Sequence, residues 1–437
     1  MNSSNKIKNI FLKINYLPNN LIILYLAFGF LFLLLNFYFS FSYINKFPTI
    51  VDQENRIILE NLGFNFNQIF GNLQNGEGFK ANYFDTDYYV SRMPLIPLIF
   101  TFLYNNVSEN FYIIFFFKNI FFFSLIFILL CTFKRDYKVF FVFFSLIAFF
   151  YNPHNLITSL SFNFEEGILN YLIIIFFLLY LSDIKIKFIF ISIIISLIFF
   201  LKSSMVFFIT AISLFFLFDG YKKYKFYYFP ILFLIISNII WGTYSYNKTG
   251  HFAAGIKLVS FNSFVLNHAY DEKFTSIYPR LSPDTLTRRI ESKLPNYVER
   301  DEWEINKFYL DDSINYLKNN PKDVFLGILK KFQVVFFYIY KDSQFLDQNG
   351  NLEKEIRFSN FPNKIFFIIY LIMIIKSFIK NRDSKSIFYI ISTIFYFFPY
   401  FVAFIYSRHC TAFYMIGTFY IYNEYYNRIV SNFFEKK

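Results

Sequence analysis

The sequence is poor in charged residues and in cysteine. Of its 437 residues, 16% are charged and 56% are hydrophobic, with a mean hydropathy of +0.39, whereas soluble domains carry about 25% charged residues. Its two cysteines, Cys131 and Cys410, fall at opposite membrane faces in the topology predicted below, which argues against a disulfide. The patterns GxxxxGK, HExxH, CxxC and GxSxG do not occur, so these nucleotide-binding, zinc-protease, redox and hydrolase signatures are missing.

Apolar runs long enough for membrane helices recur along the chain. A transmembrane helix needs about 17–25 mostly apolar residues. The first run follows a basic N-terminus, exceeds the length of a signal-peptide core and lacks a small-residue cleavage site, so it predicts an uncleaved anchor. The predicted fold class is an all-α polytopic membrane protein with about ten (8–12) transmembrane helices. The candidate spans are 21–43, 110–133, 138–151, 166–182, 188–201, 203–218, 226–243, 364–380, 386–406 and 410–424.

The net charge of +12 is explained by the loops between these spans. Nearly all Lys and Arg residues of the short loops fall on one side, as the positive-inside rule expects. Both termini are therefore predicted to be cytoplasmic. The predicted organisation is a membrane region, 1–243, with a first outer loop, 44–109, then an outer segment, 244–363, and C-terminal membrane helices, 364–437.

The run from 188 to 218 predicts a broken helical hairpin. A single helix of that length would span about 46 Å, which is too long for a bilayer, and two helices would average about 23 Å, which is short. The tip of the hairpin reads "LKSS", which puts Lys202 within or near the outer leaflet.

The outer segment has a soluble-like composition and two helical patterns. "RDEWEINKFYLDDSINYLKNNP" predicts a helix with Trp303, Leu310, Ile314 and Leu317 on one face, ending at Pro321. "DVFLGILKKFQVVFFYIY" predicts an amphipathic helix lying on the membrane, with an eleventh span as the alternative.

Several carboxylates lie at the outer ends of predicted spans. Asp52 opens a predicted helical stretch from Gln53 to Asn61, where a charge favoured by the helix dipole is the structural alternative. Glu165 and Glu166 lie at the outer mouth of the fourth span. Because adjacent helical residues point about 100° apart, at most one of them faces a common site. First-turn carboxylates favoured by the dipole are again the alternative.

Cations accompany these carboxylates. Arg92 follows Asp85 and Asp87 in the first outer loop, and its guanidinium suits phosphate, although a solvated loop is the alternative. Lys202 and Arg408 are the only cations of the short outer turns, and a bound anion would explain both. Outward carboxylates and cations on one face suit a lipid-phosphate ligand, with a carboxylate as base on an acceptor hydroxyl.

Seven short motifs follow one another along nearly the whole chain. They are Asp52 to Gly63, "RMPLIPLIF", Pro153 with Glu165 or Glu166, "LKSS", "WGTYSYNKTGHFAAG", "NNPKDVFLGILKK" and "SRHCTAFYM". In this order and spacing they resemble the GT-C membrane glycosyltransferases, in the branch of the protein O-mannosyltransferases and the lipid A aminoarabinose transferase.

The resemblance implies sugar transfer from a polyprenyl-phosphate sugar to a glycan, lipid or protein acceptor, with inversion at the anomeric carbon. It implies that Asp52 is the general base. The acceptor or a metal would be lined by Glu165, Glu166, Asp85 and Asp87. The donor phosphate would be held by Lys202, Arg408 and Arg92. Some relatives need a divalent cation, Mg²⁺ or Mn²⁺, and others do not. The implied location is a bacterial inner membrane with a periplasmic active site, among membrane lipids and without nucleic acid.

Three other functions remain open from the sequence. A flippase or transporter for a lipid-linked glycan predicts ionisable residues near the bilayer midplane and paired broken helices. A polysaccharide polymerase or ligase relies on Arg and His in late outer loops rather than on an Asp after the first span. A structural scaffold leaves Lys202 and Arg408 unexplained.

Overall fold

The computed structural model is helical throughout most of the part that it describes. The described residues are 34, 52–54, 56, 66–83, 86–131, 164–182, 184–221, 225–255, 301–322, 324–326, 328–329, 368–380, 384–402 and 415–421. The elements, in chain order, are α1 (Phe66–Gln74), β1 (Ala81–Tyr83), β2 (Thr86–Tyr88), α2 (Leu95–Asn106), α3 (Phe111–Cys131), α4 (Phe164–Leu181), α5 (Lys187–Leu201), a 3₁₀ turn (Ser203–Met205), α6 (Val206–Asp219), α7 (Phe229–Thr249), α8 (Glu302–Asn319) and α9 (Ser384–Val402). Residues 368–380 and 415–421 are also helical. The predicted all-α class is confirmed for these residues.

Helix α4 is the centre of the bundle. It is apolar on all sides and nearly every residue from 167 to 179 is buried, as expected for a helix surrounded by others. Tyr171 stacks on Phe122 of α3, with ring centroids 4.8 Å apart. Phe177 stacks on Tyr389 of α9 at 5.6 Å and on Phe419 at 5.3 Å. The abundant Phe therefore fills the core as well as the outer surface.

The predicted broken hairpin is confirmed. Lys202 has an extended backbone (φ −150°, ψ 111°), which ends α5, and the 3₁₀ turn then leads into α6. Phe188 at the start of α5 meets Phe216 near the end of α6, with ring centroids 5.1 Å apart. Since the start of one helix contacts the end of the next, the two helices run antiparallel and Lys202 lies at their tip.

After α7 the chain doubles back along the helix. Gly250 ends α7 in the left-handed region (φ 74°), which glycine adopts without strain. The ring of Phe252 then covers Gly242 so closely that a Cβ at position 242 would collide with it. Ser245 Oγ donates to the carbonyl of His251 at 2.7 Å, which fixes the reversal.

The first outer loop contains the only strands among the described residues. β1 and β2 pair as an antiparallel hairpin in the register Ala81↔Tyr88. The helix predicted from Gln53 does not begin there, because Gln53 and Glu54 form a turn and Arg56 bridges to Asn110. The backbone N–H of Asp52 donates to the carbonyl of Arg56 at 2.9 Å, which is the reverse of the N–H(i) to C=O(i−4) direction in a helix.

Helix α8 lies where the sequence predicts a helix, and its buried residues are at its start. Glu302 and Ile305 are buried, whereas Ile314 and Leu317 are 39% and 46% exposed. The predicted helix is therefore present, and it docks through its first turn rather than along the whole apolar face.

One described helix, Phe229–Thr249, is long and apolar enough to cross a membrane, and about a third of its most apolar 18-residue stretch is buried inside the protein. Five shorter apolar helices accompany it in the described part of the chain: Leu95–Asn106, Phe111–Ile126, Gly167–Leu181, Lys187–Leu201 and Ser203–Asp219.

Candidate functional site

The tip of the α5–α6 hairpin carries a mostly buried ion pair. Lys202 Nζ lies 3.9 Å from Glu165 Oε2, and the two side chains are only 12% and 16% exposed. Glu165 is in the first turn of α4 and Lys202 follows α5, so the pair joins the ends of two neighbouring helices. At this separation the attraction is electrostatic, since a charge-assisted hydrogen bond would be about 2.7–2.9 Å long.

An aromatic ring and a hydroxyl complete this ion-pair site. Lys202 Nζ lies 5.6 Å from the ring centroid of Tyr400, near the end of α9, within the range of a cation–π contact. Ser204 follows in the 3₁₀ turn, and its Oγ is buried without a hydrogen-bond partner among the described residues. The lysine and the nearby buried hydroxyl of the turn are groups that can bind an anionic oxygen ligand.

The end of α7 supports the hairpin tip. Trp241 Nε1 donates to the carbonyl of Gly255 at 3.1 Å. Gly255 in turn lies beside Ser203. A Cβ added at residue 255 would be 3.5 Å from the Cβ of Ser203, which is an ordinary van der Waals distance. Two of the motifs quoted from the sequence, "LKSS" and "WGTYSYNKTGHFAAG", are thus brought into contact.

Asp52 lies in a second cluster, at the start of α3. Its Oδ1 accepts the backbone N–H groups of Glu54 and Arg56, each at 2.9 Å. Its Oδ2 receives Arg56 Nε at 2.7 Å. Asn110, which caps α3 by accepting the N–H of Tyr112, bridges to Arg56. Asp52 therefore both shapes a turn and anchors it to α3.

The ion pair sets the protonation of Asp52. The hydrogen bond from the Arg56 side chain lowers the pKa of Asp52 below its ordinary value, and the same bond raises the pKa of Arg56. A carboxylate in this state is ionised at neutral pH, as a general base must be, but it is less basic than an isolated Asp.

The remaining predicted residues of the first outer loop have structural contacts. Lys80 Nζ donates to Asp87 Oδ2 at 3.0 Å, and that hydrogen bond raises the pKa of Lys80. Arg92 is partly buried four residues after β2. Asp85 and Arg408 lie outside the described residues, as does the side chain of Glu166. The described residues contain no cluster of three or more His, Cys, Asp or Glu that could hold a metal.

A buried lysine, Lys118, was missed in the sequence. It is 4% exposed and lies on the inward face of α3, in line with the buried Ile114 and Phe122. The adjacent Asn119 accepts a hydrogen bond from Tyr171 of α4 at 3.1 Å. The signal was available, because Lys118 is the one charge in the run "FYIIFFFKNIFFFSLIFILL", and an ionisable residue inside a predicted span is a functional candidate.

Comparisons of the chain with protein-family models, with curated proteins and with solved structures gave no match in any of the three.

Proposed function

We propose that this chain is a multi-pass membrane glycosyltransferase that moves a sugar from a polyprenyl-phosphate donor to an acceptor hydroxyl on the outer face. The observation that carries the proposal is the hairpin tip, where Lys202 is mostly buried beside Glu165 and Tyr400, two residues before the buried hydroxyl of Ser204. Burying a cation costs desolvation free energy, and ionisable residues in apolar surroundings are commonly functional. A phosphate that enters this site would gain Lys202 as a charge partner.

The proposed reaction is a single displacement. Asp52 removes the proton of the acceptor hydroxyl, whose oxygen bonds to the anomeric carbon. The bond from that carbon to the phosphate oxygen breaks, and polyprenyl phosphate leaves with the electron pair. Lys202, with Arg92 and Arg408, stabilises the charge that develops on the leaving phosphate. Inversion follows because no covalent intermediate forms.

The direct test is transfer in proteoliposomes that contain the wild-type protein. We expect release of polyprenyl phosphate that depends on both protein and acceptor, with at least one donor from a panel of polyprenyl-phosphate sugars. Absence of turnover with every donor, with movement of a lipid-linked glycan between leaflets instead, would overturn the proposal.

One observation favours that second candidate, a lipid-linked glycan transporter. Lys118 is buried on the inward face of α3, and such residues commonly mark a substrate or ion pathway. In the same vesicles, a transporter would lose glycan movement in Lys118→Met. A glycosyltransferase that uses Lys118 only for packing would keep its donor-dependent release.

The acid limb of the pH profile tests the role of Asp52. Arg56 lowers the pKa of Asp52, so removing it in Arg56→Gln raises that pKa toward its ordinary value. Because the base acts when deprotonated, the acid limb of kcat/KM should move to higher pH. The matched control is Lys80→Gln, which removes the Asp87 ion pair in the same loop and should leave the limb in place. If the acid limb stays at the same pH in Arg56→Gln, Asp52 is not the group whose pKa sets that limb.

A further inference from the structure

A buried carboxylate ties the outer segment to the first outer loop. Glu302, the first residue of α8, is 2% exposed. Its Oε1 accepts the backbone N–H of Tyr89 at 3.1 Å, and its Oε2 accepts that of Val90 at 3.0 Å. A carboxylate with a separate backbone donor at each oxygen holds the turn in one geometry, since both oxygens are buried and each must keep its donor.

The local sequence explains why Glu302 is directed at this turn. Asp301 caps α8, because its Oδ1 accepts the N–H groups of Trp303 at 2.8 Å and Glu304 at 2.9 Å. With the helix amides satisfied by Asp301, the Glu302 carboxylate is available to the loop. Ile305 is buried one turn later, so the docking is confined to the start of the helix.

The same turn is also attached to the end of α7. Lys248 Nζ lies 5.9 Å from the ring centroid of Tyr89, and the rings of His251 and Trp303 are 4.9 Å apart. Tyr244 donates its hydroxyl to the carbonyl of Phe79 at 2.6 Å. Three segments distant in sequence therefore meet around the residues that Glu302 holds.

We propose that Glu302 is a positioning residue: it latches α8 onto the Tyr89–Val90 backbone and thereby sets the location of Arg92, two residues further on. The latch itself is independent of the reaction. Its consequence for turnover rests on the proposed function, in which Arg92 contacts the donor phosphate.

The first measurement is amide hydrogen exchange in the full-length protein. Glu302→Gln keeps the size of the side chain but replaces one acceptor oxygen with an NH₂ group, which cannot accept from a second amide. We expect exchange at Tyr89 and Val90 to accelerate at least about tenfold. Glu304→Gln, an exposed carboxylate two residues away, is the matched control and should leave both amides unchanged. Unchanged protection in Glu302→Gln would overturn the latch.

The second measurement is a double-mutant cycle with Arg92. If Glu302 acts through Arg92, Glu302→Gln should raise the donor KM about tenfold in the wild type and leave it almost unchanged in an Arg92→Gln background. Effects that add in the double variant would overturn the positioning role. Absence of transfer by the wild type would instead refute the proposed function, and the exchange experiment would still decide on the latch.

Discussion

Replacing Asp52 by Asn is expected to lower the rate of sugar transfer by at least about 100-fold, the smaller end of the usual contribution of a positioned general base. The Asn side-chain oxygen can still accept the N–H groups of Glu54 and Arg56, which retains these two bonds of the turn. The negative charge and the basic group are lost, and with them the bond from Arg56 Nε to Oδ2. The measurement is kcat in proteoliposomes, with expression and thermal unfolding followed in parallel.

Glu54→Gln is the matched control for this experiment. Glu54 is a second carboxylate beside the same guanidinium, with Oε2 3.5 Å from Arg56 Nη1, and it is 72% exposed. Its neutralisation changes the local charge equally and should leave kcat within about twofold, because an exposed ion pair contributes little. Retained activity in Asp52→Asn, with loss in Glu165→Gln, would assign the base to Glu165 and leave Asp52 as the residue that shapes its turn.

The sequence predicted local features of the fold well. Within the described residues, helices α3 to α7 and α9 match predicted apolar runs, and the break at Lys202 followed from the length of the run between 188 and 218. These inferences depend on the length and spacing of apolar runs, which can be read from a single sequence and compared with the thickness of a bilayer. The start of the first outer loop was predicted incorrectly, because the backbone N–H of Asp52 donates to the carbonyl of Arg56 and its carboxylate binds the Arg56 side chain, so a closed turn forms in place of the first helical turn.

Contacts between distant segments could not be predicted in the same way. Glu302 reaches amides 212 and 213 residues earlier in the chain. Its sequence context, "RDEWE", is that of an ordinary solvated helix start. The docking of α8 through Glu302 and Ile305 was likewise out of reach, because periodicity identifies an apolar face of a helix but not which of its turns packs on the rest of the protein. Lys202 and Glu165 were assigned to one site by their shared side of the membrane, while their ion pair required the packing of α4 against α5.

The Lys202–Glu165 pair leads to the second large expected effect. Lys202→Met should weaken binding of polyprenyl phosphate by about 100-fold, because truncating one partner of a buried charge pair costs about 2–5 kcal/mol of binding free energy. It should also destabilise the protein, because Glu165 is then left mostly buried without its cation. For fully buried pairs that cost is about 3–5 kcal/mol, so a lower value is expected at 12% and 16% exposure.

A double variant separates these two consequences. In Lys202→Met/Glu165→Gln no unpaired charge remains in the site, so thermal stability should return toward that of the wild type, while affinity for polyprenyl phosphate should remain low. Equilibrium binding of the lipid to the detergent-solubilised protein measures the second quantity without turnover. Lys185→Met, which removes an exposed lysine before α5, is the control and should change neither.

The double variant distinguishes a binding site from a structural ion pair because it removes the unpaired carboxylate of Glu165 without restoring the cation of Lys202. If it is stable and binds polyprenyl phosphate as tightly as the wild type, Lys202 serves to hold α4 against the hairpin tip and the phosphate must be bound elsewhere. If it is stable and does not bind, the cation is kept at the tip for its ligand. The Glu165 carboxylate then keeps that buried charge in place until the phosphate arrives.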